Sequence, residues 1–105
     1  MKRLAIIGFG HIGASLAGAL QNENVPTEIL AIDRDPEVLK KAKERGLAKE
    51  TSTEISSCHT ADQVLLSVPV KSCVEILREV TSSMNPAALL LDVASTKGVL
   101  LSEFQ

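Results

Sequence analysis

Apolar residues fall in short unbroken blocks along this chain, and polar, amphipathic stretches separate them. Residues 2–7 read as an apolar strand. After Gly8-Phe9-Gly10, the 3.6-residue spacing predicts a helix from His11 to about Asn22. Ile12, Leu16, Ala19 and Leu20 share one side of that helix. Gly13, Ala14, Ala17 and Gly18 form an opposite side small enough to let backbone or ligand come close. Residues 28–33 form a second apolar block. Asp35-Pro36 then marks a helix start, with Asp as the cap and Pro in the first helical position, and Gly46 marks its end. Val38, Leu39 and Ala42 make its buried stripe, while Lys40, Lys41, Lys43, Glu44 and Arg45 make an ordinary solvated face.

The pattern weakens between residues 47 and 61, where a short strand over 48–51 and a turn of helix are expected. It returns as a strand over 64–68 stopped by Pro69 and a helix over 72–82 with Cys73, Ile76, Leu77 and Val80 on one side. A strand over 89–93 follows. Residues 97–105 read as a helix whose continuation lies outside the chain. Strand and helix alternate throughout, and the strands are apolar on both sides. That predicts an α/β fold with a doubly wound parallel sheet covered on both faces, in which right-handed crossovers leave few topologies. At 105 residues the chain is one domain, short for an enzyme that holds both a cofactor and a substrate.

Composition narrows the function. The net charge is -2 and Phe9 and Phe104 are the two aromatic residues, which argues against stacking or electrostatic capture of nucleic acid. Cys58 and Cys73 form no CxxC pair, and His59 beside Cys58 lacks a second pair, so neither a redox motif nor a metal site is expected. Reduced thiols suit a cytoplasmic protein. Met1-Lys2-Arg3 before the apolar run imitates a signal peptide, but the glycines and His11 interrupt that run where a strand turns into a helix. Neither secretion nor membrane insertion is expected.

The sequence Gly8-Phe9-Gly10-His11-Ile12-Gly13 joins a predicted strand to a predicted helix, the context a dinucleotide fingerprint requires. In a Rossmann-type fold, Gly8 permits the tight turn, Gly10 lets backbone approach a pyrophosphate, and Gly13 lets helix pack closely on strand. The helix N-terminus then offers unpaired N–H groups to phosphate. Asp33 lies twenty residues past Gly13, where a carboxylate accepts hydrogen bonds from the adenosine ribose. The competing role, helix capping, is already filled by Asp35. Arg34 either pairs with a 2'-phosphate or stacks on adenine, so NAD leads and NADP stays open. His11 sits at the phosphate end, and a positioning or solvent-facing role suits it better than catalysis. Ser67, Val68, Pro69 and Val70 lie at the carboxyl end of the fourth strand, beside the crevice where open α/β sheets bind ligands; a plain strand-ending proline is the alternative. Asp92-Val93-Ala94-Ser95-Thr96-Lys97-Gly98 gathers a carboxylate, two hydroxyls and an amine, reading equally as nicotinamide-facing groups or as a helix cap.

GFGHIGASLA, ADQVLLSVPV and DVASTKG, in this order, resemble the prephenate and arogenate dehydrogenase family across essentially the whole chain. That resemblance implies NAD(P)-dependent oxidative decarboxylation of prephenate or arogenate, on the route to tyrosine. It implies that Ser95 lies near the nicotinamide and the substrate hydroxyl, as a catalytic residue, and that Ser67 to Val70 runs along the cofactor. The family's catalytic histidine follows the DVASTKG-type turn, and its substrate-binding arginine belongs to a helical domain that also makes the homodimer. Neither residue is in this chain, and His59 stands too early to replace the histidine. The chain alone is therefore expected to bind cofactor with little or no turnover. Ala94 stands where the family more often has glycine. Two other functions remain open: a β-hydroxyacid, pyrroline-5-carboxylate or ketopantoate type of reductase, and a non-catalytic NAD(H)-sensing module.

Overall fold

The computed structural model describes residues 2–22, 27–67 and 70–92. Strands β1 (Lys2–Ile7), β2 (Thr27–Ile32), β3 (Glu50–Ser52), β4 (Gln63–Leu66) and β5 (Leu89–Asp92) form one sheet in the order β3-β2-β1-β4-β5. Every pairing is parallel. Helices α1 (His11–Asn22), α2 (Pro36–Glu44) and α3 (Val70–Ser83), with a 3-10 helix over Ile55–Thr60, make the connections. The strand order reverses between β1 and β4. Successive side chains of a strand point to opposite faces, and the core divides accordingly. Leu4, Ile6, Ile29, Ala31 and Leu65 lie on the face packed by α1 and α2. Ala5, Ile7, Leu30, Ile32, Val64 and Leu66 lie on the other, with Cys58 of the 3-10 helix and Val80 of α3. Both faces are covered, as the apolar runs require.

Several expected details come out differently. The first concerns β2, which ends at Ile32, so Asp33 begins the loop and its side chain turns to the amide of Asp35. β3 starts at Glu50, two residues later than expected at Ala48, because the preceding residues close α2: Arg45, Gly46 and Leu47 donate to the carbonyls of Lys41, Lys43 and Ala42. Next, α3 begins at Val70, only three residues after Ser67, whose N–H still bonds the carbonyl of Ile7. On α3, half-buried Ile76 and buried Val80 face the core, Leu77, one step round the helix, is exposed, and the side chain of Cys73 lies outside the described ones. On α1 the small side is the one that meets the sheet: Gly13 and Ala17 are buried, Leu16 and Leu20 are half-buried, and Ala19 is exposed.

Arg3 ties the opposite, amino-terminal end of the sheet together. It pairs with Glu28, its register neighbour on β2, and with Glu50 of β3 at 3.1 Å. Its Nε also donates to Thr60 at 2.9 Å. The Glu50 carboxyl is held below its ordinary value by the hydrogen bond and charge of Arg3, and the Arg3 guanidinium is raised in turn, chiefly by that bond.

Candidate functional site

The carboxyl ends of β1, β2 and β4 meet at the point where the strand order reverses, the position at which open α/β sheets form their binding crevice. A cleft of about 260 Å³ opens there. Gly8 and Gly10 of the β1–α1 turn form one wall, Asp33 and Arg34 after β2 another, and Ser67 after β4 a third. Ile7, Ile32, Ile55 and Ile76 supply apolar surface, and Thr53 stands at the rim.

The turn has the backbone a phosphate-binding loop needs. Gly8 adopts φ 82, the left-handed region that side chains disfavour, and its N–H donates to the carbonyl of Ile32 at 2.8 Å. A Cβ on Gly13 would stand 3.1 Å from both the Gly8 carbonyl oxygen and Cγ2 of Ile6. The missing side chain there brings α1 against β1. Gly10 differs from both, since among the described residues, its chain neighbours aside, no atom lies within 4 Å of where its Cβ would be. Open space in the cleft therefore reaches bare backbone at the start of α1, where the first N–H groups of a helix have no intrahelical partner. His11 and Ile12 open that helix.

Asp33 reaches back into the same turn, its Oδ2 accepting the N–H of Phe9 and its Oδ1 the N–H of Asp35, each at 2.9 Å. It does not cap α2. Asp35 does, accepting from the N–H of Glu37 at 3.0 Å. Arg34 is exposed beside Asp33, and Phe9 is buried in the core. Of the sequence candidates, the structure brings Gly8, Gly10, Asp33, Arg34 and Ser67 to one cleft, with Phe9, His11, Ile12 and Gly13 in the adjoining turn and helix. Val70 begins α3. Val68, Pro69 and Ser95 lie outside the described residues. Sequence reasoning does not anticipate Thr53, Ile55 and Ile76 at the site. The first two sit in the weakly patterned stretch before β4, and Ile76 carries only the signal of an ordinary core residue. Among the described residues no group of three His, Cys, Asp or Glu side chains is placed to hold a metal, and no helix is long and apolar enough to cross a membrane.

Residues 16–105 match the family model described as prephenate dehydrogenase, nucleotide-binding domain. The chain belongs to that family. A prephenate dehydrogenase of Lactococcus lactis subsp. cremoris (strain MG1363) is 32% identical over 102 residues, which cover 96% of this chain and 28% of that protein. The crystal structure of the prephenate dehydrogenase from A. aeolicus in complex with hydroxyphenyl propionate and NAD+ superimposes with a TM-score of 0.85 at 30% identity, covering 98% of this chain and 37% of that one. A Synechocystis arogenate dehydrogenase gives a TM-score of 0.82 at 31% identity, over 92% of this chain and 34% of the other. The chain thus spans between a quarter and two fifths of the length of these relatives. The family match begins within α1, so the roles of Gly8, Gly10 and Gly13 stand on the geometry of the turn itself.

Proposed function

We propose that this chain is the NAD-binding part of a dehydrogenase that oxidatively decarboxylates prephenate or arogenate. The observation that carries the reading is the open space at Gly10, continuous with a cleft whose far wall bears the carboxylate of Asp33. Membership of the prephenate dehydrogenase nucleotide-binding family supports it, as does the likeness to a relative crystallised with NAD+.

The residues present fit a dinucleotide. The N–H groups of the turn and of the first turn of α1, including His11 and Ile12, would hold the pyrophosphate. Asp33 keeps a lone pair on each oxygen after accepting from Phe9 and Asp35, and a carboxylate so placed would accept both hydroxyls of a ribose. Arg34 would lie along the adenine, in a cleft to which Ile55 and Ile76 lend apolar surface. Ser67, Val68, Pro69 and Val70 would flank the cofactor toward its reactive end, with Ser95 next to the nicotinamide and the substrate hydroxyl. When bound, NAD+ supplies the hydride acceptor that the reaction needs. A negative carboxylate at position 33 disfavours a 2'-phosphate, and so favours NAD over NADP.

In this reading residues 1–105 are the dinucleotide-binding domain of a cytoplasmic homodimer. The catalytic histidine, the substrate-binding arginine and the dimer contacts belong to a helical domain outside these residues, which leaves the chain alone with little or no turnover. Calorimetric titration with NAD+, NADH, NADP+ and NADPH tests the cofactor assignment. NAD(H) binding that weakens in Asp33→Ala is the expected result. Preference for NADP(H) would move the phosphate contact to Arg34, and no binding by folded protein would overturn the reading.

A further inference from the structure

Two successive residues of the glycine turn are tethered to two successive residues at the end of β2. The N–H of Gly8 donates to the carbonyl of Ile32 at 2.8 Å, and the N–H of Phe9 donates to Oδ2 of Asp33 at 2.9 Å. The second tether is a side chain, not a backbone ladder bond, so it depends on the residue at position 33. The same carboxylate accepts from Asp35 at 2.9 Å and thereby joins the turn to the start of α2. Gly8 stands at φ 82, a conformation glycine adopts without strain as one of many open to it, so the two tethers, rather than the residue itself, select the shape of the turn.

We propose that Asp33 is a positioning residue for the glycine turn, shaping the pyrophosphate subsite through the Phe9 amide as well as contacting the ribose. The inference rests on the dinucleotide reading above and adds a second action to a residue assigned there only to the ribose diol. A carboxylate has about four acceptor sites. Two are used within the protein, one on each oxygen, and the remaining two suit adjacent hydroxyls. The ribose contact and the shape of the turn are therefore coupled through one rigid group. A neutral residue at 33 that makes room for a 2'-phosphate also releases the Phe9 amide, and affinity falls for every dinucleotide rather than passing from NAD to NADP.

The separating probe is the NAD+ analogue carrying 2',3'-dideoxyadenosine, which keeps the pyrophosphate and lacks the diol. It is titrated into the chain and into Asp33→Ala well below the melting temperature of each, where a loss of global stability alone leaves affinity unchanged. The expected result is an analogue that binds Asp33→Ala about tenfold more weakly, the loss of one hydrogen bond to a charged group, with faster hydrogen exchange at the Phe9 amide. Equal analogue affinity for both proteins, with only NAD+ weakened, overturns the proposal and leaves the dinucleotide reading intact. If the original chain binds neither compound, that reading fails, and the Phe9 exchange rate decides the tether: unchanged exchange overturns it. Should Asp33→Ala not fold, Asp33→Asn serves the same comparison. It preserves size, but its NH2 group faces one of the two amide donors, so one bond is lost.

Discussion

A Cβ placed on Gly13 stands 3.1 Å from the carbonyl oxygen of Gly8, so the third glycine of the turn is packed directly against the first. Two effects oppose each other in Gly13→Ala. Alanine favours a helix interior over glycine by about 1 kcal/mol, whereas forcing a methyl against backbone and a branched side chain costs about 1–3 kcal/mol. The carbonyl cannot swing away as a flexible side chain would, and Ile6 is fully buried, so the clash prevails. Denaturant unfolding of Gly13→Ala should show a net loss of up to about 2 kcal/mol.

Gly10→Ala should behave in the opposite way. Among the described residues, its chain neighbours aside, no atom lies within 4 Å of the added methyl, so the melting temperature should stay close to that of the original chain. The methyl instead occupies space that a pyrophosphate would enter. Calorimetry should show NAD+ affinity reduced by about tenfold or more, equivalent to about 1.4 kcal/mol of binding free energy. A variant that binds as tightly as the original would place the ligand elsewhere.

Asp35→Ala tests the cap of α2 apart from the neighbouring carboxylate. The bond from the Glu37 N–H to Asp35 is lost while that from the Asp35 N–H to Asp33 is kept. A cost of about 1 kcal/mol is expected, a fall of about 4–8 °C in melting temperature for a domain of this size, with NAD+ affinity little changed.

The Arg3 cluster predicts a pH-dependent contribution to stability. The folded-state pKa of Glu50 is depressed by Arg3 from its ordinary 4.5. A depressed carboxylate stabilises the fold above the unfolded-state value, and that contribution disappears as pH falls through the lower folded-state value. Arg3 itself, its pKa raised, stays charged across this range. Glu50→Gln should therefore melt below the original chain at pH 7, and the two should converge in melts run well below pH 4.5.

Cys58 is completely buried, and burial pushes its thiol above the ordinary value. Because the thiolate is the reactive form, iodoacetamide at pH 8 should leave Cys58 unmodified in folded Cys73→Ser protein and label it in denaturant. Mass spectrometry reads the difference. Rapid labelling of the folded chain would show that the 3-10 helix opens.

The glycine turn, the carboxylate at position 33 and the alternation of elements are legible because each is a local signal. Gly8 must accept a positive φ, Asp35-Pro36 opens a helix by its own chemistry, and runs such as Ile29 to Ile32 are apolar on both sides because both faces of a parallel sheet are covered. The start of β3 is not legible, because Ala48 is buried without being in the ladder and hydrophobicity alone does not separate the two. Leu77 and Ala19 mislead for another reason: an apolar side chain next to a buried row resembles a member of it until the facing surface is known.

The amino-acid sequence by itself determined the α/β class, the turn at residues 8–13 and the helix cap at Asp35, since steric freedom, capping and hydrophobic period act over a few residues. Tertiary structure decided the strand order that sets β1 beside β4, and it brought Thr53, Ile55 and Ile76 to the cleft. It also gave Asp33 its bond to Phe9 across 24 positions of chain. Those relations depend on which strands pair and how far each helix sits from the sheet, and such distances are set by packing between segments remote in sequence.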